Sequence, residues 1–223
     1  MKTVVIIGSG GHAREVFGVL EALNAVAPHY DVLGWLVEPG FGEVGGLVCD
    51  RPVLGDLDWL AGQPEARVLC AIGAPELRRR LVERARSFGA RFCSAIHPQA
   101  VLTPRVTVGE GVVIAAGAVL TEAIHLGDHV IVNAGCTVSH DVVCEDFATL
   151  SPGVHVAGGA VLGEGCFVGT GASIVPRVRV GAWTTVGAGC AVVTDVPPNA
   201  TVVGVPGRVI KTRSAGWHRG ASA

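Results

Sequence analysis

Starting at Ile96 and stepping by six, the chain meets an aliphatic residue seventeen times in succession, ending at Val192, with Cys144 the one exception. A cysteine is itself a small hydrophobe. Four residues after each of these lies a second restricted set, from Ala100 to Val196, in which every member is small or β-branched. A helix repeats at about 3.6 residues and a plain strand at 2, so neither explains a strict period of six. A solenoid of short strands does. If each six-residue unit forms one side of a triangular coil, eighteen residues complete a turn. Seventeen units, 102 residues, then make 102/18, about 5.7 turns and a prism roughly 27 Å tall at a strand spacing of about 4.8 Å. Both residue sets point into a narrow interior, and Gly and Asn serve the corners.

Composition agrees with such an interior. Of 223 residues, 49% are apolar but only 5% are aromatic, and 32 are glycine. A core of Val, Ile, Leu, Ala and Cys follows, and a disordered chain is excluded. With 16% charged residues a coiled coil is also excluded. The formal net charge of −2 lacks the basic surface of a nucleic-acid binder. No apolar run approaches the roughly 20 residues of a membrane span. The opening Met1–Gly8 stretch reads as a first strand rather than a signal peptide. Seven cysteines, an odd number with no CxxC pair, argue against a disulfide framework or zinc site and for a cytoplasmic protein with reduced thiols. Cys136, Cys144, Cys166 and Cys190 fall on inward positions and read as core filler.

Residues 1–95 carry no hexad. They read as strand (3–7), glycine turn, helix (about 12–25), strand (about 31–37), a loop with a short helix, strand (about 67–72) and helix (about 75–88). This is a small Rossmann-like α/β unit with a parallel sheet. The turn after the first strand is Gly8-Ser9-Gly10-Gly11-His12-Ala13, a G-x-G-x-x-A pattern opening a helix. Close backbone approach and a helix N-terminus suit phosphates. NAD fits poorly, because the expected acidic residue, Glu38, lies 28 positions beyond Gly10 rather than about 20. The segment also has room for only half a dinucleotide fold. A nucleotide-sugar diphosphate is the better ligand. The chain therefore divides at 1–95, 96–196 and 197–223; Pro197-Pro198 breaks the repeat, and the last ten residues read as a loose tail.

Taken together, the G-x-x-G-H unit, the Ala71-Ile72-Gly73 strand end, Ile96-His97-Pro98 at the junction, the hexapeptide prism and the Gly204-Val205-Pro206 segment resemble one family. It is the hexapeptide-repeat sugar acetyltransferases of the sialic-acid O-acetyltransferase and bacillosamine or perosamine N-acetyltransferase types. The resemblance implies a left-handed parallel β-helix, acetyl-CoA as co-substrate, no metal, a nucleotide-linked amino sugar of the 4-amino-4,6-dideoxy type as acceptor, and a homotrimer with sites between neighbouring prisms. It implies that His140 is the catalytic base and Asp141 its orienting partner. Glu is common in the family where Asp141 stands. It places Ser9, Gly10, Gly11, His12 and Gly73 at the nucleotide sugar, Glu38 at its base or ribose, and Asn133 facing the sugar. Val37 stands where the family often has a second acidic residue. By itself Asn133 reads equally as a corner residue.

The residues also point to His140 without the family. Of eight histidines, only His140 is followed directly by a carboxylate. Residues 18 apart stack, so Glu122 is expected one turn below His140, where its charge would act on the imidazole. Gly158 is expected one turn above, leaving room for an acyl thioester and bare backbone N–H groups for an oxyanion. The outward positions Val113, Ile131, Thr149, Phe167 and Thr185 form a stripe that reads as a partner surface. Competing readings are sugar O-acetylation by the same base, and a non-catalytic sugar-binding scaffold. A γ-type carbonic anhydrase on the same prism needs two metal-binding histidines five residues apart. No pair among His97, His125, His129, His140 and His155 meets that spacing.

Overall fold

The computed structural model describes residues 1–219. Its N-terminal part is a parallel sheet flanked by helices: β1 (Lys2–Ile7), α1 (Gly11–Val26), β2 (Tyr30–Leu36), β3 (Leu47–Val48), β4 (Arg51–Gly55), β5 (Arg67–Cys70), α2 (Pro75–Ser87) and β6 (Arg91–Phe92). The strand order is β3-β4-β2-β1-β5-β6, and every pair is parallel except β3 with β4. The segment expected as a loop with a short helix therefore also holds a hairpin. Its turn, Cys49-Asp50, has positive φ at both residues without a glycine, so the usual turn signature is missing.

From Ala95 the chain winds into a parallel β-helix of two-residue strands. Each strand pairs with one eighteen residues on, as Val113 with Ile131, Thr137 with His155 and His125 with Val143. Three sheets result, one per side of the prism. The interior is the two hexad sets: Ile114, Leu120, Leu126, Val130, Cys136, Val142, Cys144, Ala148 and their successors are fully buried. Only the first turn, with Ile96, Leu102 and Val108, is partly open, because no turn of the coil stacks below it. Burial pushes the Cys144 thiol up to about 12 and raises the Cys166 thiol as well. These thiols are packing groups, not nucleophiles.

The corners repeat too. From residue 111 to residue 189 every sixth residue has a left-handed backbone. Glycine occupies most of these places, but Ala123, His129, Asp141, Phe147, Arg177 and Trp183 occupy the others. That conformation costs an ordinary L-residue about 1 kcal/mol or more. Neighbouring turns hold it in place through backbone bonds such as Asp141 N to Glu122 O (3.0 Å) and Phe147 N to Asp128 O (2.8 Å).

The N-terminal unit covers one side of the prism. Val113 and Ile131 are buried in the same cluster as Ala13, Val16 and Phe17 of α1, and Thr149 is buried beside them. For Val113, Ile131 and Thr149 this corrects the reading of that stripe as a partner surface. Val113 and Ile131 are apolar because the chain's own first domain lies on them, while Phe167 and Thr185 are half-buried and lie outside that cluster.

Arg78 of α2 pins the seam. It is fully buried and donates to the carbonyls of Ile72 (2.7 Å), Gly73 (3.1 Å), His129 (3.0 Å) and Phe147 (2.6 Å), and to Thr149 Oγ1 (2.8 Å). Burial lowers its guanidinium to about 10, so it stays charged at neutral pH. His129 is enclosed beside it between Phe92 (4.6 Å, edge-on) and Phe147 (5.2 Å, stacked). Burial first, then Arg86, pulls this imidazole down to about 4. Its ordinary value is 6.5, so between pH 6.5 and 4 the unfolded chain binds a proton that the folded chain refuses. Stability contributed by a neutral His129 is thus present above pH 6.5 and is lost as pH falls through that window, by about 3 kcal/mol in all. Thermal melts from pH 7.5 to 4.5 should slope more steeply for the native chain than for His129→Leu. Equal slopes would show that His129 is not the linked group.

At the end of the coil the strands Ala200–Val203 and Arg208–Thr212 form an antiparallel pair. The expected loose tail is partly ordered. A short turn at Trp217–Arg219 places the His218 ring on Trp183 (3.8 Å between centroids), while Arg213 lies over Trp217. Trp217, a large apolar ring so near the C-terminus, was the available signal. Residues 220–223 of that tail lie outside the described residues.

Candidate active site

His140 and Asp141 lie in the corner between the strands Thr137–Val138 and Val143–Cys144. Both side chains are exposed, at 66% and 68%. His140 Nδ1 meets Asp141 Oδ2 at 2.8 Å. Since a carboxylate only accepts, Nδ1 carries the proton and Nε2 presents its lone pair to solvent. Asp141 is the left-handed residue of this corner (φ 60°), and that backbone turns its carboxylate back onto the preceding ring. A shorter side chain than Glu closes the pair well because the two residues are adjacent.

Two stacking expectations need correction. Glu122 does not reach the imidazole. Its carboxylate is held by both ends of the Arg105 fork, which also keeps it below the usual carboxylate range. Only the Glu122 carbonyl touches the corner, through Asp141 N. Gly158 does lie against His140, but the vacancy above it is filled by the imidazole. A Cβ at Gly158 would fall 2.5 Å from His140 Cε1 and 2.6 Å from Nε2. The glycine therefore seats the ring, and Gly159 N binds the His140 carbonyl at 2.9 Å.

The other predicted residues lie elsewhere. Gly8 has φ +102°, and a Cβ there would meet Ile72 Cδ1 at 2.8 Å, so the turn after β1 requires glycine. Gly10 and Gly11 are exposed with open space around them, and Ser9 is half-buried beside them. Glu38, after β2, is bound by Arg84 at 3.2 Å, and Arg84 also holds Asp58 at 2.9 Å. Gly73 gives its carbonyl to Arg78 and to Thr149 Oγ1, which is a seam contact. His12 and Asn133, far apart in sequence, line one cavity of about 300 Å³ between α1 and the coil, together with His97. Burial lowers the His12 pKa, against an opposing effect of Glu15 3.3 Å away.

These parts fall into two groups. The N-terminal unit covers one side of the prism, and the His140 corner joins the other two sides. In a triangle that corner is the one opposite the covered side. One chain therefore keeps His140, Asp141 and Gly158 away from the glycine turn, His12 and Glu38. Sequence reasoning missed Arg78, since an arginine in a charged helix carries no periodic signal, and it used His97 as part of the junction motif without assigning it to the cavity. Among the described residues no group of three or more His, Cys, Asp or Glu is placed to hold a metal ion, and no helix is long and apolar enough to cross a membrane.

Comparison with known proteins gives a consistent pattern. Residues 3–85 match the family model described as the PglD N-terminal domain. A solved structure of a His-to-Asn variant of perosamine N-acetyltransferase from Caulobacter crescentus, in complex with CoA and GDP-perosamine, is 38% identical over 92% of this chain and 95% of that one, with a TM-score of 0.85. The acetyltransferase domain of PglB from Neisseria gonorrhoeae, in complex with acetyl coenzyme A, is 32% identical over 94% of this chain and 99% of that one, with a TM-score of 0.84. UDP-N-acetylbacillosamine N-acetyltransferase of Bacillus subtilis is 32% identical over 127 residues, which is 52% of this chain and about half (52%) of that relative's length.

Proposed function

The chain belongs to the PglD-type family of hexapeptide-repeat sugar acetyltransferases, and from this we propose that it transfers acetyl from acetyl-CoA to the amine of a nucleotide-linked 4-amino-4,6-dideoxy sugar. The observation that carries the reading is the exposed His140–Asp141 pair at 2.8 Å, with its free Nε2 outward.

The neutral sugar amine attacks the thioester carbonyl. His140 Nε2 accepts the proton released from nitrogen, and Asp141 holds the tautomer and stabilises the imidazolium. Collapse of the tetrahedral adduct expels the coenzyme thiolate, which recovers the proton. Direct transfer fits the thiols, because those inside the coil are buried with raised pKa values. Gly158 borders the ring where the thioester would lie. Ser9, Gly10 and Gly11 at the start of α1 would face the diphosphate, His12 the sugar and Glu38 the base or ribose, with Gly73 nearby at the end of β5.

The separation of the two groups within one chain supports a homotrimer. In it the His140 corner of one copy would face the sugar-binding edge of the next. The free cysteines suit a reducing, cytoplasmic setting. The test is mass spectrometry of the products from acetyl-CoA with UDP-, GDP- and dTDP-linked 4-amino sugars, beside hydroxyl acceptors such as sialic acid. An amide product supports the proposal. An ester product, or no acetylated product, refutes it.

A further inference from the structure

The cavity between α1 and the coil has four polar side chains in its lining, His12, Glu15, His97 and Asn133, and is otherwise walled mainly by valine and alanine. The hydrogen bonds already made fix what each polar group has left to offer. His12 Nδ1 lies 3.3 Å from Glu15 Oε2, so it carries the proton; Nε2 is then an acceptor, buried and without a partner. Asn133 Nδ2 gives one of its two hydrogens to Leu150 O at 2.8 Å, which leaves one N–H donor and the acceptor Oδ1. His97 differs. Its Nδ1 lies 3.0 Å from the backbone nitrogen of Gln99. A backbone N–H can only donate, so the proton of the neutral ring is on Nε2.

The cavity thus holds two neutral acceptors, one carboxylate and two side-chain donors, the second Asn133 N–H and His97 Nε2–H. A sugar bearing an amine offers the complement. Its hydroxyl and amine hydrogens serve the acceptors, and one of its oxygens needs a donor. At about 300 Å³ the space suits one pyranose ring rather than a whole nucleotide sugar. Valine and alanine walls suit a ring with few hydroxyls.

We infer that His97, through Nε2–H, donates to an oxygen of the acceptor pyranose and so fixes the orientation of that ring in the cavity. The inference rests on the proposed acetyl transfer to a sugar amine. Asn133 can both donate and accept, whereas His97 can only donate here, so a misoriented ring leaves the His97 donor unpaired.

The test is steady-state kinetics on the full chain with acetyl-CoA and the nucleotide-linked amino sugar it acetylates best, alongside calorimetric binding of that sugar. His97→Ala is expected to raise acceptor KM and weaken acceptor binding about tenfold or more. The acetyl-CoA KM and the melting temperature stay as in the native chain. His97→Gln, which keeps an N–H at similar reach, recovers most of the loss. An unchanged acceptor KM in His97→Ala, a parallel rise for both substrates, or a Gln variant no better than Ala overturns the inference while leaving acetyl transfer standing. A native chain that acetylates no amino sugar overturns both.

Discussion

Alanine at position 140 is expected to lower turnover by about 10²-fold or more with no loss of fold. The imidazole is exposed and its one side-chain bond is to Asp141, so removing it opens no cavity. The loss falls on the step in which nitrogen gives up its proton. Gly158→Ala reaches a similar end by another route. Its methyl would sit 2.5 Å from His140 Cε1, so an intact imidazole is driven out of position. Its activity should fall at least about tenfold while binding of both substrates persists. Rates measured at saturating acetyl-CoA and acceptor, with melting curves alongside, check both. An alanine-140 enzyme retaining near-full turnover removes His140 from the chemistry.

The second large effect is on stability. Arg78→Met keeps much of the apolar stem but removes the donors to His129 O, Phe147 O, Ile72 O and Gly73 O inside a packed seam. Gly73 O keeps the Thr149 hydroxyl, so three carbonyls lose their partner at about 1–3 kcal/mol each, and a total of about 3–9 kcal/mol is expected. Arg78→Lys should recover little, because a point charge cannot span bonds reaching in several directions. Urea unfolding with separate probes distinguishes where the loss falls. Trp35 reports the N-terminal sheet and Trp183 the coil corner. A variant that unfolds at the native urea concentration shows that the seam does not depend on Arg78.

The coil was legible because its rule is local. A residue's place in the hexad decides whether it is inside, and the buried set from Val112 to Val196 follows that rule. The His140 pair was legible for the same reason, since its partner is the next residue. What escaped depends on packing between distant segments. Val113 and Ile131 look like an open apolar stripe until α1 is laid over them. Glu122 has the right height for His140, but Arg105, seventeen residues earlier, competes for it and wins. Arg78 shows its role only when carbonyls of the coil surround it, and His97 only when α1 lies against the coil to close the cavity.

The eighteen-residue pairing also restricts how a chain of this kind can change in length. Losing one six-residue unit ahead of His140 would keep every inward position filled yet rotate everything downstream by a third of a revolution. The imidazole would then arrive on a different edge, in a sound fold with its chemistry facing the wrong way. Gains and losses compatible with activity therefore come in whole revolutions, or as loops bulging from a corner.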